Sequence, residues 1–170
     1  MKIALIFLAL VVSLSSSSFA TAMLSGEKGA KQLINNFINP NIDHLKLTKT
    51  LHPDKLDYKA FFIDKSWEKA MKVYEETLWT KDLVIEGKEG QTKILIWSAT
   101  PAELKAGTGN SKFFPGGYRD IADQIRPQHT IYRFKLVEPG DTSGRSFDGL
   151  VYLNGHWVIF PKPWKALNAK

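Results

Sequence analysis

Between Thr130 and Trp164 the apolar residues recur with the period of strands, broken only at turn residues: TIYRFKLVEPGDTSGRSFDGLVYLNGHWVIFPKPW. Three antiparallel strands are predicted there. Asn154-Gly155, set between two apolar runs, signals a two-residue type I′ turn, which needs positive φ at both positions. That turn sets a register with Leu153 opposite His156, Tyr152 opposite Trp157, Val151 opposite Val158, Leu150 opposite Ile159 and Gly149 opposite Phe160. Strict alternation then places Phe147, Gly149, Val151, Leu153, His156, Val158 and Phe160 on one face. Asp148, Leu150, Tyr152, Trp157 and Ile159 fall on the other. In the first strand of the three, Tyr132, Phe134 and Leu136 share a face, and Arg133 and Lys135 share the opposite one with Ile131 and Val137. Both surfaces are apolar, so both need cover. Helices are expected on one, and a curled sheet, a ligand or a partner on the other.

Upstream the period changes to that of helices. Ala30, Leu33, Ile34, Phe37 and Ile38 predict a helix from Gly26 to Asn39, ended by Asn39-Pro40-Asn41. A charged, irregular connector follows. His52-Pro53-Asp54 opens a second helix running to about Ile63, and Trp67, Ala70, Met71, Tyr74 and Leu78 mark a third from Ser66 to about Trp79. Leu83 to Ile85 reads as a short strand, and Lys93 to Ala99 (KILIWSA) as a full one. Thr100-Pro101-Ala102-Glu103 is a capping box with proline at the first helical position, and the short helix it opens ends at Gly107. Gly107 to Tyr118 (GTGNSKFFPGGY) joins glycines to aromatics in the manner of a functional loop or lid. A last short helix is predicted from Tyr118 to Ile125.

The first residues set the compartment. Met1-Lys2, the apolar run Ile3 to Leu14 and the small residues Ala20-Thr21-Ala22 compose a secretory signal cleaved after Ala22, leaving residues 23–170 as one domain. A membrane span needs roughly twenty apolar residues. The expectation is therefore an exported protein, periplasmic or secreted from a bacterium, with no integral membrane association after cleavage. There is no cysteine, which excludes disulfides, thiolate chemistry and a lipobox anchor. The formal net charge is +6, but the basic residues are scattered among acids rather than drawn into a stripe, so no nucleic-acid partner is expected.

Motifs for chemistry are sparse. The four histidines, His44, His52, His129 and His156, show no metal-ligand spacing, so no metal and no cofactor are expected. The glycines of Gly107 to Gly117 match neither phosphate-binding pattern and are explained by turns. No serine sits in a nucleophile-elbow context. Asp148 is the most informative acid. In a pocket its carboxyl would be desolvated and raised in pKa, as a general base requires; structurally, it would bond a loop backbone or pair with Arg145 or Lys162. Arg133 would clamp an anionic ligand through its fork of donors, or face solvent at an edge. Pro161-Lys162-Pro163-Trp164 predicts a rigid exit whose indole plugs the sheet.

The helices-then-sheet order is α+β. With the terminal hairpin, it resembles the cystatin-like roll of the NTF2-like superfamily, where N-terminal helices pack on a curved antiparallel sheet around a conical pocket. More narrowly, the segments LIWSATPAELKAGTGN, FPGGYRD, YRFKLVEPG and FDGLVYLNGHWVIFPKPW resemble an uncharacterised family of secreted bacterial proteins. The superfamily resemblance implies a binding or assembly module or an acid–base enzyme. The leading expectation is a module binding a small apolar or amphipathic ligand, or a partner, across the sheet. Its candidate contacts are Tyr132, Arg133, Trp97, Phe113, Phe114, Tyr118, Trp157 and Trp164. The alternative is an isomerase, dehydratase or hydrolase with Asp148 as base and His129, Tyr132 or Arg133 as orienting groups. A homodimer through the open sheet face is a third expectation.

Overall fold

The computed structural model describes residues 24–169; the signal-peptide expectation lies outside them. The fold is α+β, with four antiparallel strands in the order β1-β2-β3-β4. The chain runs α1 (Gly26–Asn35), α2 (His44–Lys49), α3 (Lys55–Phe61), α4 (Ser66–Thr77) and β1 (Lys93–Ala99). It continues through α5 (Pro101–Ala106), α6 (Gly117–Ile121), β2 (Ile131–Val137), β3 (Gly144–Leu153), β4 (His156–Ile159) and α7 (Pro163–Leu167). No described helix is long and apolar enough to cross a membrane.

Local chemistry explains most element ends. Thr100 and Glu103 form the reciprocal capping box at α5, and Gly107 closes that helix at φ 73°. Asp54 and Asp57 form a second capping box at α3. Between β3 and β4, Asn154 (φ 49°) and Gly155 (φ 91°) make the two-residue connection, and Leu153 pairs with His156. Asp57 joins the two features. Fully buried, it accepts from Asp54 N (2.9 Å), Asn154 Nδ2 (2.8 Å) and His156 Nε2 (3.1 Å), so one carboxylate ties the start of α3 to the tip of the hairpin.

Two apolar cores lie on opposite faces of the sheet. Leu33, Ile34 and Phe37 from α1 and the 3-10 turn after it pack with Leu51, Ile85, Tyr132, Phe134, Leu150 and Trp157 on one face. Residues of α3 to α7 pack with Ile131, Val151, Leu153, Val158 and Phe160 on the other. Helices thus cover both faces, where cover by helices was expected on one only, because α1 separates from α3 and α4 and takes the opposite side.

Two upstream expectations need correction. The irregular connector contains α2, capped by Asp43, whose side chain accepts from Lys46 N at 2.9 Å; six residues are too few to display a helical period. Leu83 to Ile85 is not a strand. The Ile85 N–H donates to the buried Thr48 hydroxyl at 2.9 Å instead of to a ladder partner.

The most consequential correction lies in β3. Tyr132 pairs with Leu150 but Arg133 pairs with Asp148, so Gly149 is an extra residue with φ 86°. A bulge of this kind resets the alternation of side chains. Phe147 joins Leu150 on the α1 side, where it stacks on Phe134 with centroids 5.2 Å apart. Asp148 turns to the other side, the side of Val151 and Phe160. The expected grouping of Asp148 with Leu150 and Tyr152 is therefore wrong, and one glycine is the reason.

Candidate functional site

Beyond the bulge, β3 outruns its neighbour. The Phe160 N–H donates to Gly149 O at 2.9 Å as the last bond of that ladder. Pro161 then has no N–H to give, and Lys162 takes a left-handed conformation (φ 51°) that turns the chain into α7. Among the described residues, Gly144 to Asp148 therefore pair with β2 alone. A cavity of about 510 Å³ opens beside this unpaired stretch. Its walls come from α4 and the residue that caps it (Val73, Tyr74 and Thr77, then Leu78), from Leu83 and Ile85, from Ser146, Phe147 and Asp148 of β3, and from Ile159, Pro161, Lys162, Lys165 and Ala166. Most of these side chains are apolar.

Asp148 is a buried carboxyl in that wall, 7% exposed. Its Oδ1 accepts from the Tyr118 hydroxyl at 2.8 Å and from Lys162 N at 2.9 Å. Oδ2 has no hydrogen-bond partner among the described residues. Burial raises the carboxyl pKa, against the lowering pull of these two donors and of the Arg133 and Lys162 charges. Burial likewise pushes the Tyr118 phenol up, reinforced by the Asp148 charge, so Tyr118 stays a donor. The left-handed Lys162 is a strained conformation for a side-chain-bearing residue, and it aims an N–H at the carboxylate.

The aromatic loop is brought to the same side of the sheet. Tyr118 is fully buried, edge-on to Phe114 (5.5 Å) and Trp164 (5.1 Å). Gly117 allows this: a Cβ there would lie 2.4 Å from Trp164 Cγ. Trp97 stacks on Phe113 at 4.7 Å, and Lys135 lies 5.9 Å over the Trp97 ring. Arg133 is the cross-strand neighbour of both Trp97 and Asp148. Its Nη2 reaches Ser146 Oγ at 3.4 Å, and its buried Nε has no partner among the described residues. Asp148, Tyr118, Arg133, Trp97, Phe113, Phe114 and Trp164 thus share one face.

Three sequence candidates lie elsewhere. Tyr132 and Trp157 meet edge-to-face (5.5 Å) on the α1 side, where Trp157 Nε1 donates to Leu24 O at 3.0 Å. Neither lines the cavity. His129 is hydrogen-bonded through Nε2 to Ala60 O at 2.7 Å and packs on Phe61, away from the contacts of Asp148. Burial lowers its pKa below 6.5. A histidine whose folded pKa is depressed contributes stability above its unfolded pKa and loses it as pH falls through the folded value. Urea unfolding of wild type and His129→Gln from pH 7.5 downward should therefore show the wild type losing more stability than the variant below about pH 6.5.

The residues that sequence reasoning missed are the cavity walls: Val73, Leu78, Leu83, Ile85, Phe147 and Lys165. Val73 and Leu83 carry no motif, and Lys165 lies just past the Pro161 to Trp164 exit, in the short helix α7 that begins at Pro163. Among the described residues no group of three or more His, Asp or Glu is arranged to hold a metal. Comparison with models of protein families, with curated proteins and with solved structures returned no match to this chain.

Proposed function

We propose that this chain is an exported binding module, an α+β roll of the NTF2-like kind, that holds a small apolar or amphipathic ligand beside the unpaired end of β3. One observation carries the reading: a largely apolar cavity of about 510 Å³ with one buried carboxyl among the described residues of its wall. Small-molecule sites run from about 300 to 1,000 Å³, with mostly apolar walls and few placed polar groups. The aromatic cluster of Phe114, Tyr118 and Trp164 backs the carboxyl rather than facing the ligand, and fixes it in place.

Native mass spectrometry of protein purified from an exporting host tests this. Retained mass that leaves on denaturation is expected for the wild type. Thr77→Trp, an exposed position at the end of α4, should lay an indole across the cavity and remove that mass while leaving the melting temperature within a few degrees. Equal retained mass in both proteins would place any ligand elsewhere and defeat the reading. Bare protein that gives no saturable binding of any alkyl amphiphile on titration would do the same. The spectrum also reports mass at the dimer position, which the sheet-mediated homodimer requires.

A second reading has its own observation. Asp148 Oδ2 has no hydrogen-bond partner among the described residues, on a cavity-wall carboxyl raised in pKa, which suits a general base acting on the bound molecule. Asp148→Asn would then keep the fold and the ligand but accumulate it unreacted. Identical small-molecule content in both proteins after incubation would remove the enzyme reading.

A further inference from the structure

The cavity has a direction. Apolar side chains from three segments, Val73 of α4 with Leu78 at its C-cap, Leu83 and Ile85, and Phe147 and Ile159 of the sheet, make its body. Its exposed polar residues include Lys162 and Lys165, set on and just before the short α7, one turn of chain apart. Neither ammonium lies within ion-pair distance of a carboxylate among the described residues, although most of the neighbouring wall is apolar. Asp148 is the only carboxyl among the described residues of the cavity wall, and it is buried, with Oδ1 engaged by Tyr118 and by Lys162 N. An anion beside Asp148 would meet that carboxyl, whereas an anion placed at the exposed lysines meets two positive charges that form no ion pair among the described residues.

We infer that the ligand is a single-chain amphiphile with an anionic head, its tail among Val73, Leu78, Ile85 and Phe147 and its head at Lys162 and Lys165. This rests on the cavity reading above and adds the chemical class and orientation of the occupant. The shared chemistry is a negatively charged group on an alkyl chain, whether the head is a carboxylate, as in a free fatty acid, or a phosphate, as in a lysophospholipid fragment.

The test is a titration of the purified protein, below the micelle concentration, with octanoate, decanoate and dodecanoate. Alkyl phosphates, alcohols and trimethylammonium salts of the same chain lengths run in parallel. Affinity should rise about three- to fourfold per methylene until the cavity is full. At equal length carboxylate or phosphate should bind more tightly than alcohol, and alcohol more tightly than ammonium; the tighter of the two anions names the head. Lys165→Glu should weaken the anion about fivefold or more and leave the alcohol unchanged, an effect reduced by added salt. Lys88→Glu, a surface lysine outside this cavity, controls for the change in net charge and should have little effect. Two failures are distinguishable. Chain-length dependence with equal affinity for all heads, or with a preference for ammonium, would overturn the anionic head and leave the cavity reading intact. Absence of chain-length dependence, or binding indifferent to Thr77→Trp, would overturn both.

Discussion

Gly149→Ala is expected to lower stability by about 3 kcal/mol or more, a large share of what a domain of this size possesses. Two effects add. At φ 86° a residue with a side chain carries a backbone strain of roughly 1–2 kcal/mol. In addition, the new Cβ would lie 2.0 Å from Phe160 O and 2.5 Å from its carbonyl carbon, which are backbone atoms of the neighbouring strand and have no rotamer to escape into. The ladder must open there, at the last bond before β4 gives out. Chemical denaturation measures the loss. By contrast, Gly116→Ala, whose Cβ would meet nothing within 4 Å, should stay within about 0.5 kcal/mol of wild type. A similar small cost at Gly149 would mean that the bulge, and with it the orientation of Asp148, is not as described.

Asp148→Ala is the second large effect, about 3 kcal/mol, because it strands two donors at once. The Tyr118 hydroxyl is fully buried and Lys162 N is held in a left-handed turn, and each unsatisfied buried donor costs about 1–3 kcal/mol. Asp148→Asn keeps an oxygen for both donors and should stay within about 1 kcal/mol of wild type at neutral pH. The pH dependence separates them further. Burial raises the folded pKa above the unfolded value near 3.8, so the contribution of the acid to stability is fullest below 3.8 and is lost as pH rises through the raised value. The Asn variant has no such loss. Its stability relative to wild type should therefore improve steadily from pH 3.5 upward and level off above the folded pKa. A gap independent of pH would show that the carboxyl is not desolvated.

Much of the architecture was legible because it rests on local rules. The capping box at Thr100 and Glu103 names a helix start by two side chains alone, and Asn154-Gly155 allows hardly any connection but a tight one. The register of β3 against β4 followed from that turn. Failure came where a single residue changed the phase. Gly149 reads in sequence as one more strand position, although a lone glycine inside a strand is a bulge signal; the pairing of Arg133 with Asp148 and of Tyr132 with Leu150 shows that a residue is left over. The error carried straight into the site, since it put Asp148 beside Leu150 rather than beside Tyr118. The aromatics were identified as a group. Tyr118 and Trp164 stand among the candidate ligand contacts; Tyr118 is fully buried and donates to the Asp148 carboxylate, with the half-buried Trp164 edge-on to it. The cavity itself had no signature. It exists because β4 ends at Ile159 while residues 144–148 of β3 extend past that end, and a gap between elements is written in no single segment.

The central claim is that a ligand occupies the space beside residues 144–148. The most direct measurement is an amide chemical-shift titration of isotopically labelled protein with decanoate. The account predicts saturable shifts centred on Val73, Leu78, Phe147, Asp148 and Ala166, with His129 on its separate contacts and Ile94 on β1 left unmoved. Shifts centred on Trp97 and Phe113, or spread evenly over the basic surface, would contradict it.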